Sequence, residues 1–420
     1  MGSNRFCIVK ETPVWILMLF ETINIYFDRG MDMRKLRVLH VIPWFIGYGI
    51  ERFIVDLVSG LDKKRFEIGL VIVGVYDQSA LKQELDNANI RIFHLDRPIS
   101  PYVTTKKLAI DEYTKSWRIL LTERKSIIAV SRVCREFKPD IVHTHFLGLI
   151  PAFLPAVFNR NIIRVHTVHA DGNVETRNLG AVGRYALEKH KFLPVSISEF
   201  SSNSLKEALD IKEIKVIRNG INTQRFTPAS LERNSGCVTI INVSRFSEEK
   251  RHALLMRAFE KVCRECDNVR LVLVGEGHLQ KYIEEIAEVC GIADKVEFTG
   301  RRGDIQELLA MSDIYAMTSK KEAFGLSTVE AMACGLPVVA MNSGSAPELV
   351  KDGINGFLVG DAKPSKMAEA IIRLVKDRNL RRTMSGNSRD FAVKLDIRNM
   401  VESYENYYTD LYSRHLKEAL

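Results

Sequence analysis

The sequence contains no Asp-x-Asp pair, no apolar run long enough to cross a bilayer, three tryptophans and seven cysteines in 420 residues. Each shortage excludes something. Without Asp-x-Asp the chain lacks one common carboxylate arrangement for holding a divalent cation. An odd number of scattered cysteines makes no disulfide framework and fits thiols kept reduced in a cytoplasmic setting. The Cys-x-x-Cys at Cys263 and Cys266 has no second pair to complete a zinc site. Cys334 sits in a small-residue run with no basic neighbour to activate it, and reads as packing. The stretch "PVWILMLFETINIYF" is short, is interrupted by Glu21 and has no small-residue cleavage site after it. Residues 1–33 are therefore set aside as an extension.

What is present is an ordinary globular composition, 46% hydrophobic, with a formal net charge of +8. The length exceeds what one core usually holds, so two domains are expected, and the positive balance suits an anionic partner. From Leu36 onward short β-branched runs alternate with helical patterns, the mark of βαβ units and parallel sheets. "LRVLHVI", "FEIGLVIVG", "IRIFHL", "DIVHTH" and "IIRVHTV" read as buried strands of a first doubly wound α/β domain, residues 34–220. The polar, aperiodic stretch 221–236 reads as a linker. The pattern then restarts with "VTIINVS", "VRLVLVG", "KVEFTG", "DIYAMTS" and "LPVVAMN", giving a second domain over 237–395. Residues 396–420 form a helical pattern with a Tyr-rich stripe that needs a surface to cover, expected on the first domain. Ligands of such sheets bind beyond the carboxyl ends of the strands, so the cleft between the two domains is the expected site.

The most informative stretch is "EAFGLSTVEAMACGLPVVAMNSGSAPELVKDGINGFLV", which holds Glu322 and Glu330 on either side of Phe324, Gly325, Leu326 and Ser327. It resembles the signature of the retaining glycosyltransferases of the GT4 group (glycosyl transferases group 1), which have the GT-B fold: two Rossmann-like domains facing each other across a cleft. "PDIVHTH", "RVHTVHA", "VSISE", "RNGIN", "VSRFSEEK" and "LVLVGEG" follow in the order of that family, so the resemblance covers nearly the whole chain from Met33.

Cleaving a sugar nucleotide leaves two phosphates with growing negative charge, which fixed cations and helix N-termini can meet. The resemblance implies that Arg245 and Lys250 bind the donor phosphates, that the segment from Phe324 to Ser327 cradles phosphate or sugar, and that Gly275 and Arg301 also belong to the donor site. It further implies that Glu330 accepts from the ribose hydroxyls and that Glu322 stands beside the transferred sugar, where it stabilises positive charge. Read alone, Ser327 and Glu330 also have the spacing of a helix capping box, and both roles remain open for Glu330. Glu322 lies ahead of that helix, where no capping arithmetic explains it.

In the first half, His143, His145, His166 and His169 invite a zinc site. Strand alternation sends His166 and His169 to opposite faces, so no metal is expected. The resemblance implies that His169 contacts the transferred sugar. "GYGIER" is too incomplete for a dinucleotide loop; the family has paired glycines there, Tyr48 replaces the first, and the resemblance implies that the remaining Gly49 belongs to the donor site.

The expected function is thus metal-independent, retaining transfer of a hexose-type sugar from a nucleotide-diphosphate sugar to a saccharide or lipid-linked acceptor, with no cofactor. A nucleotide-sugar epimerase or phosphorylase of similar fold and a non-catalytic sugar-nucleotide-binding protein are the alternatives. The basic region 104–138 mixes Lys and Arg with apolar residues and could rest on an anionic membrane surface, or simply be a solvated helix face with a core stripe. The expected location is cytoplasmic, with peripheral attachment to the inner membrane face as its extension. No nucleic-acid motif is present.

Overall fold

The computed structural model describes residues 34–45, 49–76, 80–96, 118–229 and 236–419. The 1–33 extension, Tyr48 and the first part of the basic region lie outside the described residues.

The first sheet is built from β1 (Leu36–Ile42), β2 (Phe66–Ile72), β3 (Arg91–His94), β4 (Ile141–His145), β5 (Ile163–Val168), β6 (Leu193–Ser196) and β7 (Lys215–Val216). Its order is β3-β2-β1-β4-β5-β6-β7, with the pairs parallel throughout. The second contains β8 (Val238–Val243), β9 (Val269–Val274), β10 (Val296–Gly300), β11 (Ile314–Met317), β12 (Val338–Met341) and β13 (Gly356–Val359). Its order is β10-β9-β8-β11-β12-β13, again parallel. Parallel strands need crossover helices on both faces, which is why most of these strands are near-continuous apolar runs, although β4 and β5 bury His143, Thr144, His145, His166 and Thr167. The winding direction reverses between β1 and β4 and between β8 and β11. Loops leaving such neighbours diverge, and the gap they leave is where ligands enter.

Apolar cores lie on both faces of each sheet. One face of the first sheet is covered by helix Gly49–Gly60 and by the last helix, Ile397–Ala419, whose Met400, Val401, Tyr404 and Tyr408 are buried there. The chain thus crosses between domains twice. The two crossings pair with each other: Ile221 N donates to Leu395 O at 3.0 Å, and Ile397 N to Ile221 O at 2.9 Å. Helix Arg124–Phe137 turns Ile127, Val130, Val133 and Phe137 into the core and leaves Arg124, Lys125, Ile128, Arg132 and Arg135 exposed. Its apolar stripe is therefore core, and the outward face is basic.

Candidate active site

Two loops meet at the switch point of the second sheet. The one after β8 carries Arg245 and Lys250; the one after β11 carries Ser319 and Glu322. They are stitched together by Thr318 Oγ1 donating to Lys250 O (2.8 Å) and Lys320 N donating to Glu249 O (2.7 Å). Within that frame Lys250 Nζ lies 2.5 Å from Glu322 Oε1, which also accepts from Ser319 Oγ at 2.7 Å. The Lys250 and Glu322 side chains are only 17% and 18% exposed. Behind Glu322, Ser345 N donates to Glu322 O at 2.9 Å. Gly344 has φ +60 there, and a Cβ on it would stand 2.5 Å from Glu322 O, so only glycine permits this approach. Gly344 went unnoticed in the sequence; its one signal is its place in a turn straight after β12.

Helix Leu326–Ala333 begins at Gly325, its N-cap, at φ 87 and ψ 58, a left-handed conformation that glycine adopts without strain. The capping box does not form. Ser327 is already inside the helix, its hydroxyl bonded to Tyr315 OH at 2.8 Å, and Glu330 falls in the second turn. Glu330 sits among Arg52, Asp56 and Arg225. Arg52 pairs with Asp56 and reaches Glu84 at 2.7 Å, while Arg225 stands 4.0 Å from Glu84. Desolvation pushes the Glu330 carboxyl up to about 7, with Arg225 and Arg52 opposing the rise and Asp56 adding to it.

Other expected donor-side residues lie at the same end of the sheet. Arg245 is exposed, with Glu249 3.7 Å away. Gly275 follows β9 and its N–H donates to Gly300 O at 2.9 Å; Arg301, exposed, follows β10. Phe324 is buried beside the helix start.

On the opposite wall Gly49 opens helix Gly49–Gly60. A Cβ added to it would be 3.6 Å from Leu326 Cδ1, so two helix N-termini face one cleft. Both ends favour an anion. His169 follows β5, and its Nε2 is 3.0 Å from His145 Nδ1. His166 turns to the other face of the sheet, where Thr144 Oγ1 and Glu175 Oε1 lie 2.9 and 3.2 Å from its ring nitrogens. The four histidines weighed as a zinc set do not converge. His40, which drew no notice in the sequence, joins His143 and His145 instead.

The domains also touch through groups with no sequence signal. Ser198 Oγ donates to Ala323 O at 2.5 Å, and Lys321 Nζ lies 3.1 Å from Asp171. The Glu348 carboxylate accepts from Glu199 N (3.0 Å) and Phe200 N (2.7 Å) at the start of helix Glu199–Ala208. Of the cysteines, burial pushes Cys263 up to about 11 and Cys334 up to about 12, which leaves them poor nucleophiles.

Two facing parallel α/β sheets, with a charged pair at the switch point of the second and a histidine just past β5 of the first, are the architecture of GT-B glycosyltransferases. The family pattern "Glycosyl transferases group 1" matches residues 223–391 and that of "Glycosyltransferase Family 4" residues 48–225, so together they take in both domains. The chain belongs to this family and is a glycosyltransferase. It is 28% identical over 299 residues to the N-acetyl-alpha-D-glucosaminyl L-malate synthase of Bacillus anthracis, covering 67% of this chain and 77% of that protein. It is 26% identical over 405 residues to the UDP-Gal:alpha-D-GlcNAc-diphosphoundecaprenol alpha-1,3-galactosyltransferase of Escherichia coli, covering 90% and 97%. A glycosyltransferase structure from Rickettsia africae shares the fold, with a TM-score of 0.72 at 20% identity over 90% of this chain and 99% of that one. Among the described residues no helix is long and apolar enough to cross a membrane.

Proposed function

We propose that the chain transfers a hexose-type sugar, with retention and without a metal, from a nucleotide-diphosphate donor to a saccharide or lipid-linked saccharide. The observation that carries this is the Lys250–Glu322 pair at the β8/β11 switch point: a cation and a carboxylate in contact, part-buried, beside a helix N-terminus. A sugar diphosphate needs both charges at adjacent atoms, a cation for the phosphate oxygens and a carboxylate for the developing oxocarbenium centre.

In this reading Lys250, Arg245 and the helix start from Phe324 to Ser327 receive the diphosphate, and Glu330 accepts from the ribose hydroxyls. Gly275 and Arg301 border the nucleoside, while Glu322 and His169 meet the sugar. Gly49, on the first domain's wall, also meets the donor, and the rest of that domain takes the acceptor. The acceptor oxygen bonds to the anomeric carbon on the face the diphosphate leaves, the carbon–phosphate-oxygen bond breaks, and the acceptor proton passes to a departing phosphate oxygen. No protein base is needed. The E. coli relative is named for a UDP-linked donor and an acceptor sugar carried on diphosphoundecaprenol; the similarity over nearly the whole of both chains favours the same classes here. The outward basic face of Arg124–Phe137 fits attachment to an anionic inner leaflet, where such an acceptor resides.

The test is a thermal-shift and turnover screen with UDP-, GDP- and ADP-sugars in the presence of EDTA. One donor should raise the melting temperature and release nucleotide only when acceptor is supplied. Conversion of donor alone would point to an epimerase; binding without turnover, or full turnover in Glu322→Gln, would sink the proposal.

A further inference from the structure

On the sheet face covered by the last helix, His40 pairs in register with His143, and His145 with Thr167. Side-chain alternation then sets His40, His143 and His145 on one side, with His169 just beyond the end of β5. The first three are fully buried. Two contacts form a file: His40 Nδ1 to His145 Nε2 at 3.0 Å, and His145 Nδ1 to His169 Nε2 at 3.0 Å.

A metal is the first thought, because nitrogens of His40, His143 and His145 lie within 4.8 Å of one another. The bonding argues against it. His143 engages both ring nitrogens, with Tyr408 OH at 2.6 Å and Thr167 Oγ1 at 2.7 Å, and His145 engages both with its neighbours. An ion would break these bonds, and the trio brings no carboxylate or thiolate to offset its charge.

The direction of the file follows from one orphan atom. Burial drives His40 and His169 down to about 3 and His143 and His145 well below the ordinary value, so each ring is neutral with one N–H. Among the described residues His40 Nε2 is buried without a partner. If protons pointed inward, from His169 through His145 to His40, that atom would carry an N–H with no acceptor. Pointing outward, His40 and His145 both donate from Nδ1, and the orphan is only a lone pair. A buried N–H left unmade is the rarer and costlier defect. His169 Nε2 is therefore the acceptor from His145.

We infer that His40 and His145 are positioning residues that hold His169 as its Nδ1–H tautomer, so that it meets its ligand as a hydrogen-bond donor and never as a base. Only the identity of that ligand, a hydroxyl of the transferred sugar, rests on the proposed function. The outcome suits a reaction in which the departing phosphate takes the acceptor proton.

The test uses the full chain with 15N-labelled histidine and long-range proton–nitrogen correlation near neutral pH, His169 being assigned by its loss in His169→Gln. The expected spectrum shows protonated Nδ1 and bare Nε2 on His169 with no donor present. An Nε2–H, an imidazolium, or an equivalent of zinc in the purified protein overturns the inference, and this spectrum needs no variant of the file to fold. In His145→Phe the His169 tautomers should mix and kcat with the active panel donor should fall about tenfold or more, with its KM little changed; His145→Gln should restore part of the loss. An unchanged His169 tautomer in His145→Phe also overturns the inference. Altered tautomers with unchanged kcat leave the file standing and instead refute the contact between His169 and the sugar.

Discussion

Lys250 Nζ and Glu322 Oε1 lie 2.5 Å apart although 72 positions separate them in the chain. Ser319 donates to the same oxygen, so the carboxylate is aimed as well as paired. Glu322→Gln keeps the shape and removes the charge. Its kcat should fall about 10²- to 10³-fold, while affinity for the free nucleotide diphosphate, measured by calorimetry, stays near wild type.

Lys250→Met separates the two functions of the pair. Donor KM should rise and kcat fall together, because in the proposed site the lost cation serves the phosphates in the ground state and more strongly as they depart. Steady-state kinetics on the panel donor decide it; a change confined to stability would make the lysine structural.

With Glu330 receiving the ribose as proposed, donor binding should depend on pH. A ribose hydroxyl donates to a carboxylate better than to a carboxylic acid, and this carboxyl is held up to about 7 by desolvation, with Arg225 opposing. A UDP-sugar, whose diphosphate has no ionisation of its own near pH 6, should bind roughly tenfold more weakly at pH 6 than at pH 8. Glu330→Gln should flatten that profile. Stability has the opposite sign: the raised carboxyl binds its proton more tightly folded than unfolded, so stability present below about 4.5 is lost as pH rises through about 7. Glu330→Gln should therefore be the more stable protein at pH 8, by on the order of 2 kcal/mol, and close to wild type at pH 4.5.

Glu348 reaches from the second domain to two N–H groups that open helix Glu199–Ala208 in the first. Glu348→Ala removes both bonds and the favourable charge at a helix N-terminus, worth about 1 kcal/mol of domain contact. Small-angle scattering should report a larger radius of gyration without donor, and saturating donor should narrow the difference.

Tyr408 carries the last helix into the first domain's core through its hydroxyl on His143 Nδ1. Tyr408→Phe leaves that buried nitrogen unpaired, and denaturant unfolding should show a loss of about 1–3 kcal/mol. Tyr412, half-buried at the edge of the core on the same helix, touches Arg34 at 3.3 Å in an exposed contact. Its Phe variant should cost far less.

The strands were legible because their signal is local: a run such as "LRVLHVI" is apolar on both faces only if helices cover both, and it coincides with β1. Motif order placed Lys250, Glu322, Glu330 and His169 in sequence, each after the strand that carries it or on the following helix. Period and propensity need only neighbouring residues, so the chain states them outright. What it does not state is which distant residues meet. That Lys250 touches Glu322 follows from β8 and β11 being adjacent, a matter of strand order. That Gly325 and not Ser327 caps its helix follows from how the β11 loop enters the cleft. His40 had no motif, and joined His145 only once β1 lay beside β4. Glu348 looked like an ordinary acid until a helix end from the other domain arrived against it. Composition and local periodicity thus determined the two sheets, while strand order and packing, which act between residues far apart in the chain, decided how the site is charged, aimed and closed.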